Sequence, residues 1–578
     1  MRTQSIDPPY VDDEIRAVDE WLSRACEALL SFFNPGAGVF WRDNQEKQNN
    51  DPGKSPTSTL RAFVALNAYL NAASEDDLAP SELASRALAA TRAVAEQFLT
   101  EKPSREEVRK SGTNEFNVFT DAQILIAVSL LPSLQRRFAS SSPSLQMNPA
   151  NAIADADSIA TEIGGVLKDH AGATLAYQAS GDDLPHDFIT LYAVRGLDAI
   201  KSFSKNADLN TIIQQRLRKD VLSQLGFHAA GISSRFDPSE LAFVITLLNR
   251  MPTPDTPRLT DAAVKVIIDA QTTSGAWPQA RLVSYSDKRI LHIASFEVAL
   301  ALSYLVRIQP AQDKAGWCEV LLKTFGATFR LIKSSYREVQ GAAGWPNDHA
   351  RSEKLVESWT TAMVLAFLSQ YRDLLLSVRQ ESILAKYHAR HPKVIPTVPW
   401  PDMTAMLREP EWINSDCLSY ISDPSKDGTL VKALQAHFLD PIRKSWIAKP
   451  EAASLILYGP PGTRKTTLVN SIAEALGWPC VTISPPHFLR HHGLEGFETA
   501  AAEIFEDLFR LRRVVVFFDE CEDFFKKRQD EQKLESRTIG AFITAGMLPS
   551  RLRKKGILIP ETVRFGAWSS VESTTCRC

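Results

Sequence analysis

No stretch of this chain is apolar for long enough to span a bilayer, and Met1–Asp13 is polar and acidic, without the apolar segment of a secretion signal. Cysteine is scarce: seven residues, an odd number, scattered with no Cys-x-x-Cys spacing. That pattern argues against a disulfide framework and against structural zinc, and it fits a reducing compartment, so a cytoplasmic location is expected. An excess of one charge is also missing, since 65 Lys and Arg face 68 Asp and Glu for a net charge of −3. Such a balance offers no general attraction to nucleic acid or an anionic membrane. Arg551-Leu552-Arg553-Lys554-Lys555 is too brief a basic cluster to change this, and it reads as a solvated turn or helix end. What is present is ordinary globular composition, 44% hydrophobic and 23% charged, over 578 residues, enough for two or more domains with a sizeable core.

From about Asp12 to His388 the sequence repeats a helical hairpin. A long first helix leads into a loop containing glycine and aromatic residues, which opens a second, more apolar helix. The loops are Asn34–Ser58, Ser111–Thr120, Tyr177–His186, Gly226–Pro238, Gly275–Ile290 and Gly341–Glu353, and the second helices are expected to begin near Ser58, Asp121, Asp187, Ser239, His292 and Ser352. In the last of these, Leu355, Val356, Trp359, Met363, Val364, Phe367 and Leu368 recur at helical spacing and form one buried face. Phe296–Leu305 is apolar almost all round, as a helix covered on every side must be.

Gln271-Thr272-Thr273-Ser274-Gly275-Ala276-Trp277-Pro278 contains Q-x-x-x-G-x-W, and Gln340–Trp345 with Gly344-Trp345-Pro346 is a near copy. These loops resemble the QW-type repeats of terpenoid-cyclase and prenyltransferase-like α/α toroids, which implies helical hairpins closed into a double ring around a central cavity. In such a loop the Trp covers a helix end while the Gln satisfies orphan backbone groups; an open α-solenoid is the competing arrangement. The catalytic signatures of those families are missing: there is no Asp-x-Asp-Asp motif and no Asp/Cys/His zinc set. Asp121, Asp187, Glu240, Glu297 and Glu357, with His186 and His292, are acids and imidazoles near the starts of the inner helices. Helix capping and the helix dipole account for acids at such positions.

The C-terminal part carries different chemistry. Gly459-Pro460-Pro461-Gly462-Thr463-Arg464-Lys465-Thr466 follows the apolar run Leu455-Ile456-Leu457-Tyr458, the strand-then-loop placement of a phosphate-binding P-loop. Successive backbone N–H groups and the following helix start make a concavity for phosphates. Lys465 is placed to reach the β- and γ-phosphates of ATP, and the Thr466 hydroxyl to sit on Mg²⁺. The general motif has glycine before the lysine; here that residue is Arg464. Further on, Val514-Val515-Val516-Phe517-Phe518-Asp519-Glu520 is an apolar run ending in two carboxylates. It suits a parallel strand buried on both faces, with Asp519 on Mg²⁺ and Glu520 polarising the attacking water.

Leu457–Thr463, the helix Leu468–Leu476, the strand Cys480–Ser484, the helix Ala502–Leu511 and the Asp519-Glu520 strand together resemble the core of an AAA+ ATPase, from about Val431 onward. The resemblance implies ATP and Mg²⁺ as cofactors, with Gly459, Pro460, Pro461, Gly462, Thr463, Arg464, Lys465, Thr466 and Thr467 around the nucleotide. It implies Thr466 and Asp519 on the metal, Glu520 as catalytic base, and homo-oligomerisation. Arg528 falls where family members often carry arginine. No Ala-Thr-Asn strand, arginine finger or lid follows Glu520, so the module reads as shortened, and His491-His492-Gly493 stands where family members carry an aromatic-aliphatic pair. The expected architecture is an all-α, toroid-like hairpin domain over 1–390, a proline-rich linker over 391–430 and an α/β P-loop domain lacking its lid over 431–578. The helical domain is expected to recognise an unidentified protein or small-molecule partner, with ATP driving or gating the response. The alternatives are an ATP-gated scaffold that does not hydrolyse, and an enzyme whose catalytic site lies in the toroid cavity.

Overall fold

The computed structural model describes residues 8–34, 40–41, 56–74, 82–96, 116–141, 149–169, 187–200, 207–278, 283–284, 290–291, 295–308, 311–339, 342–346, 356–392, 465–489 and 497–519. The chain divides into two compact units, Met1–Ser74 with Ala79–Val378, and Glu75–Leu78 with Arg379–Cys578.

The first unit is built of helices α1 (Pro8–Ser31), α2 (Pro56–Ser74), α3 (Glu82–Val94), α4 (Phe116–Ser141), α5 (Pro149–Asp169), α6 (Asp187–Ala199), α7 (Ala207–Ala229), α8 (Pro238–Arg250), α9 (Thr256–Asp269), α10 (Ser295–Ile308), α11 (Ala311–Ser335) and α12, which begins at Ser358 and ends at Lys386. Short antiparallel pairs lie between some of them: β1 (Phe33–Asn34) with β2 (Phe40–Trp41), β3 (Val283–Ser284) with β4 (Ile290–Leu291), and β5 (Arg337–Val339) with β6 (Ala342–Gly344). Odd- and even-numbered helices bury differently. In α7 the stripe Leu209, Ile213, Leu217, Val221 is buried at every fourth position while Ile212 and Leu222 are exposed, as expected of an outer helix. In α8 every residue from Pro238 to Leu248 is buried, and α10 is buried nearly all round.

The even-numbered helices pack in succession, α2 on α4, α4 on α6, α6 on α8 and α8 on α10. The last returns to the first: Arg61 on α2 lies against Met363 on α12 (Nη1–Sδ 3.1 Å) and Glu297 on α10 (3.7 Å). Outside this inner set, Tyr371 on α12 donates its hydroxyl to Glu14 on α1 (2.9 Å), and the buried Arg372 pairs with Asp19. Gly196 sets the closest approach of α4 and α6, because a Cβ there would lie 2.8 Å from the Ala122 carbonyl oxygen.

Three loops share one device. Trp41, Trp277 and Trp345 are fully buried, and each indole N–H donates to a carbonyl in the last turns of the preceding helix: Leu29 of α1 (2.9 Å), Ile267 of α9 (2.8 Å) and Ile332 of α11 (2.7 Å). Carbonyls in the last turn of a helix lack the i+4 N–H of their own helix, so the indole caps the helix end while its ring fills the core. Each Trp backbone N–H in turn donates to a hydroxyl at the start of the next helix, Thr59 (3.0 Å), Ser295 (3.0 Å) and Thr361 (3.4 Å). Gln271 ties its loop to α11, donating to the Gly275 and Thr324 carbonyls and to the Thr328 hydroxyl (3.0–3.2 Å). Gly275 has φ +90°, and a Cβ there would lie 2.2 Å from the Ala327 carbonyl oxygen, so no other residue fits this crossing. Gln340 lies outside the described residues.

The second unit contains α13 (Lys465–Leu476), β7 (Cys480–Ile483), α14 (Pro485–Leu489), α15 (Phe497–Phe509) and β8 (Val515–Phe518). β7 and β8 are parallel, with Cys480 opposite Val515 and Ile483 opposite Phe518. Strand alternation gives each face its own core: Val481, Ile483, Val516 and Phe518 join Ile504, Phe505 and Leu508 of α15, while Cys480, Val515 and Phe517 meet Val469 and Ala473 of α13. This is the two-sided burial expected for a strand of a parallel sheet.

Residues 379–392 belong to this unit. Ile383, Leu384 and Tyr387 sit in the α15-side core, Tyr387 and Lys386 both donate to Asp507 (2.9 and 2.6 Å), and Arg390 exchanges backbone hydrogen bonds with Cys480 (2.9 and 2.8 Å) along the β7 edge. The stretch before His391, read from sequence as the end of the helical domain, is therefore built into the sheet-containing unit. The proline-rich run from Lys393 lies outside the described residues. Among the described residues no helix is long and apolar enough to cross a membrane.

Candidate functional site

Lys465, Thr466 and Thr467 form the first turn of α13. The backbone N–H groups of such a turn have no intrahelical acceptor and carry the positive end of the helix dipole, so the turn is predisposed to anions. Thr466 is exposed there. The rest of the expected loop, Gly459, Pro460, Pro461, Gly462, Thr463 and Arg464, lies outside the described residues, as do Glu520, Arg528 and His491-His492-Gly493.

Asp519 follows the last residue of β8, and its N–H donates to the Ile483 carbonyl (2.9 Å), extending the ladder beyond the strand. It thus stands at the carboxyl end of a parallel strand, where open α/β sheets bind their ligands. Val515 and Phe517 of β8 pack with Val469 and Ala473 of α13. One small apolar core therefore holds both the helix that starts with Lys465-Thr466 and the strand that delivers Asp519. A hydroxyl and a strand-end carboxylate are ligand types that Mg²⁺ takes, and the N–H groups of the helix start suit phosphate; Thr466 is exposed and Asp519 half-buried.

The acids singled out in the helical region resolve differently. Glu297 is buried and faces Arg61, Glu357 accepts from the Thr360 hydroxyl (3.2 Å), and Asp121 and Glu240 are buried. The N-cap of α8 is Asp237, which accepts from the Ser239 and Glu240 N–H groups (2.9 and 3.4 Å). Asp187 opens α6, and His186 and His292 lie outside the described residues. Sequence reasoning passed over Trp41, whose loop has the Gly38-Val39-Phe40-Trp41 signal but no glutamine ahead of the tryptophan. It also passed over Arg61 and Arg195, because single arginines inside apolar helices carry no pattern.

A model of the ATPase family associated with various cellular activities (AAA) matches residues 455–565. The chain carries an AAA+ ATPase core. An uncharacterized AAA domain-containing protein of Schizosaccharomyces pombe is 36% identical over 92 residues, 16% of this chain and 12% of that protein. Cell division control protein 48 homolog C of Arabidopsis thaliana is 31% identical over 107 residues, 18% of this chain and 13% of that protein. The ribosome biogenesis ATPase RIX7 of Saccharomyces cerevisiae is 31% identical over 94 residues, 16% and 11% of the two chains. The chain thus spans about an eighth of the length of the first of these relatives. Among solved structures, an α-1,6-mannanase from Salegentibacter sp. HEL1_6 superposes with a TM-score of 0.37 at 10% identity, covering 61% of this chain and 98% of the other. So distant a likeness carries no argument.

Proposed function

We propose that this chain binds Mg·ATP through Gly459–Thr467 and Asp519 and hydrolyses it, to drive or gate the remodelling of a partner recognised by the helical unit. The observation that carries the reading is the apolar core shared by α13 and β8, which holds the Lys465-Thr466 helix start and the Asp519 strand end in one element of structure. In this reading the backbone of Gly459–Thr463 and the Lys465 ammonium take the phosphates, and Arg464 adds a second cation beside them. Thr466 and Asp519 hold Mg²⁺, which when bound neutralises charge on the β- and γ-phosphates. Glu520 accepts a proton from the attacking water. The helical unit is a closed α/α toroid, supported by the succession of inner helices from α2 to α10 and the return of α12 to Arg61. Oligomerisation would bring each site beside a neighbour's, as in AAA+ proteins generally.

The test is binding first and turnover second. Mg·ATP at a hundred times its Kd should stabilise the wild-type protein by about 2.7 kcal/mol, seen as a rise in melting temperature, and Lys465→Ala should abolish the shift. Glu520→Gln should keep the shift and lose phosphate release. A wild-type protein indifferent to ATP would overturn the site, and binding with no release at any protein concentration would make the chain an ATP-gated scaffold.

A further inference from the structure

Where the inner helices converge they line a pocket that is open to solvent on one side. Most of its wall is apolar, from Ile126, Leu300 and Met363 among others. Two polar groups in it are unusual. The Gln123 side chain is 3% exposed, and neither its amide nitrogen nor its carbonyl oxygen has a hydrogen-bond partner among the described residues. A buried amide is rarely left so, since desolvation without replacement bonds costs free energy. The second is Arg195, whose guanidinium lies 3.9 Å from the centre of the Tyr304 ring and 5.2 Å from that of Tyr192. Aromatic faces hold it in place, but among the described residues no carboxylate lies within ion-pair reach of it. The other guanidinium in the pocket, Arg61, faces Glu297 at 3.7 Å.

The balance of charge defines the complement. Among the described residues one cation is met by Glu297 and the other by tyrosines but no carboxylate, and a neutral donor and acceptor lie beside an apolar wall. We infer that this pocket binds a small monocarboxylate with an apolar body, its carboxylate on Arg195 and the Gln123 amide and its tail along Ile126, Leu300 and Met363. Arg195 presents a planar fork matched to a carboxylate. A phosphate dianion fits less well, because its second charge would stand near Glu297 without a second free cation. Close approach of α4 and α6 at Gly196 brings the helix turns that carry Gln123 and Arg195 together. The inference is independent of the nucleotide site.

The experiment is calorimetric titration of the full chain with sodium hexanoate, with hexan-1-ol and inorganic phosphate as controls. Hexanoate should bind with unit stoichiometry, and hexan-1-ol and phosphate at least about tenfold more weakly. Arg195→Gln should weaken hexanoate binding by about tenfold or more, Gln123→Leu by a smaller factor, and Lys465→Ala should leave it unchanged. If circular dichroism shows Arg195→Gln misfolded, Arg195→Lys takes its place, with weakening of severalfold expected from loss of the planar fork. Absent binding, equal affinity for hexanoate and hexan-1-ol, a preference for phosphate, or affinity that survives substitution of Arg195 would each overturn the inference.

Discussion

At the scale of single residues, Trp41, Trp277 and Trp345 do two jobs at once, filling the core and capping a helix end, and the two separate by substitution. Trp277→Ala or Trp345→Ala removes ring and donor together, and each should cost about 3–5 kcal/mol in denaturant unfolding. Trp277→Phe keeps most of the ring but leaves the Ile267 carbonyl without its donor, so about 1–2 kcal/mol is expected. Gln123 should behave in the opposite sense. With no partner for its amide among the described residues, Gln123→Leu should leave the protein unharmed or more stable by about 1 kcal/mol, measured without ligand. If Gln123→Leu were strongly destabilising, the amide would have an unrecognised structural role.

At the scale of elements, the end of α12 and the turn after it are the least expected part of the second unit. Asp507 on α15 accepts from both Tyr387 and Lys386, and burial first, then the Asp507 carboxylate, holds the Tyr387 phenol well above its ordinary value of 10.0. Tyr371 is raised in the same way, by burial and then by Glu14. A group whose folded pKa is raised stabilises the fold fully below its unfolded value and loses that contribution as pH climbs beyond it. Stability should therefore hold through neutral pH and fall above about pH 10 as the unfolded phenols ionise. Denaturant midpoints measured from pH 8 to 11 should show this decline, and Tyr387→Phe should flatten part of it, at a cost of about 0.5–1.5 kcal/mol at pH 7.

At the scale of the whole molecule, the two units have separate hydrophobic cores, one running through α1 to α12 up to Val378 and the other gathered around β7 and β8. Separate cores predict two unfolding transitions in a calorimetric scan, and saturating Mg·ATP should raise one and leave the other in place. A single transition that moved as a whole with ATP would mean that the units unfold together. The thiols offer a second check. Cys26 is fully buried and its pKa is raised by that burial, and Cys480 is raised likewise, so both should resist alkylation by iodoacetamide until their own unit unfolds.

Much of this was determined locally and was legible in the chain itself. The second-helix starts expected near Ser58, Asp187, Ser239 and His292 lie within about three residues of the observed ones, because apolar periodicity and loop residues act over one or two helical turns, whereas those expected near Asp121 and Ser352 are observed at Phe116 and Ser358. The apolar run ending at Asp519 and the helix expected over Leu468–Leu476, observed over Lys465–Leu476, were legible for the same reason. What only tertiary structure decided is which distant residues meet. Arg61 and Glu297 stand on helices far apart in sequence, Gln123 and Arg195 share a pocket through one close helix crossing, and residues 379–392 join the sheet unit through Asp507 and Cys480. No local pattern marks such residues, since a buried charge or amide declares its role only through its partners, or their absence, once packing has removed water from around it.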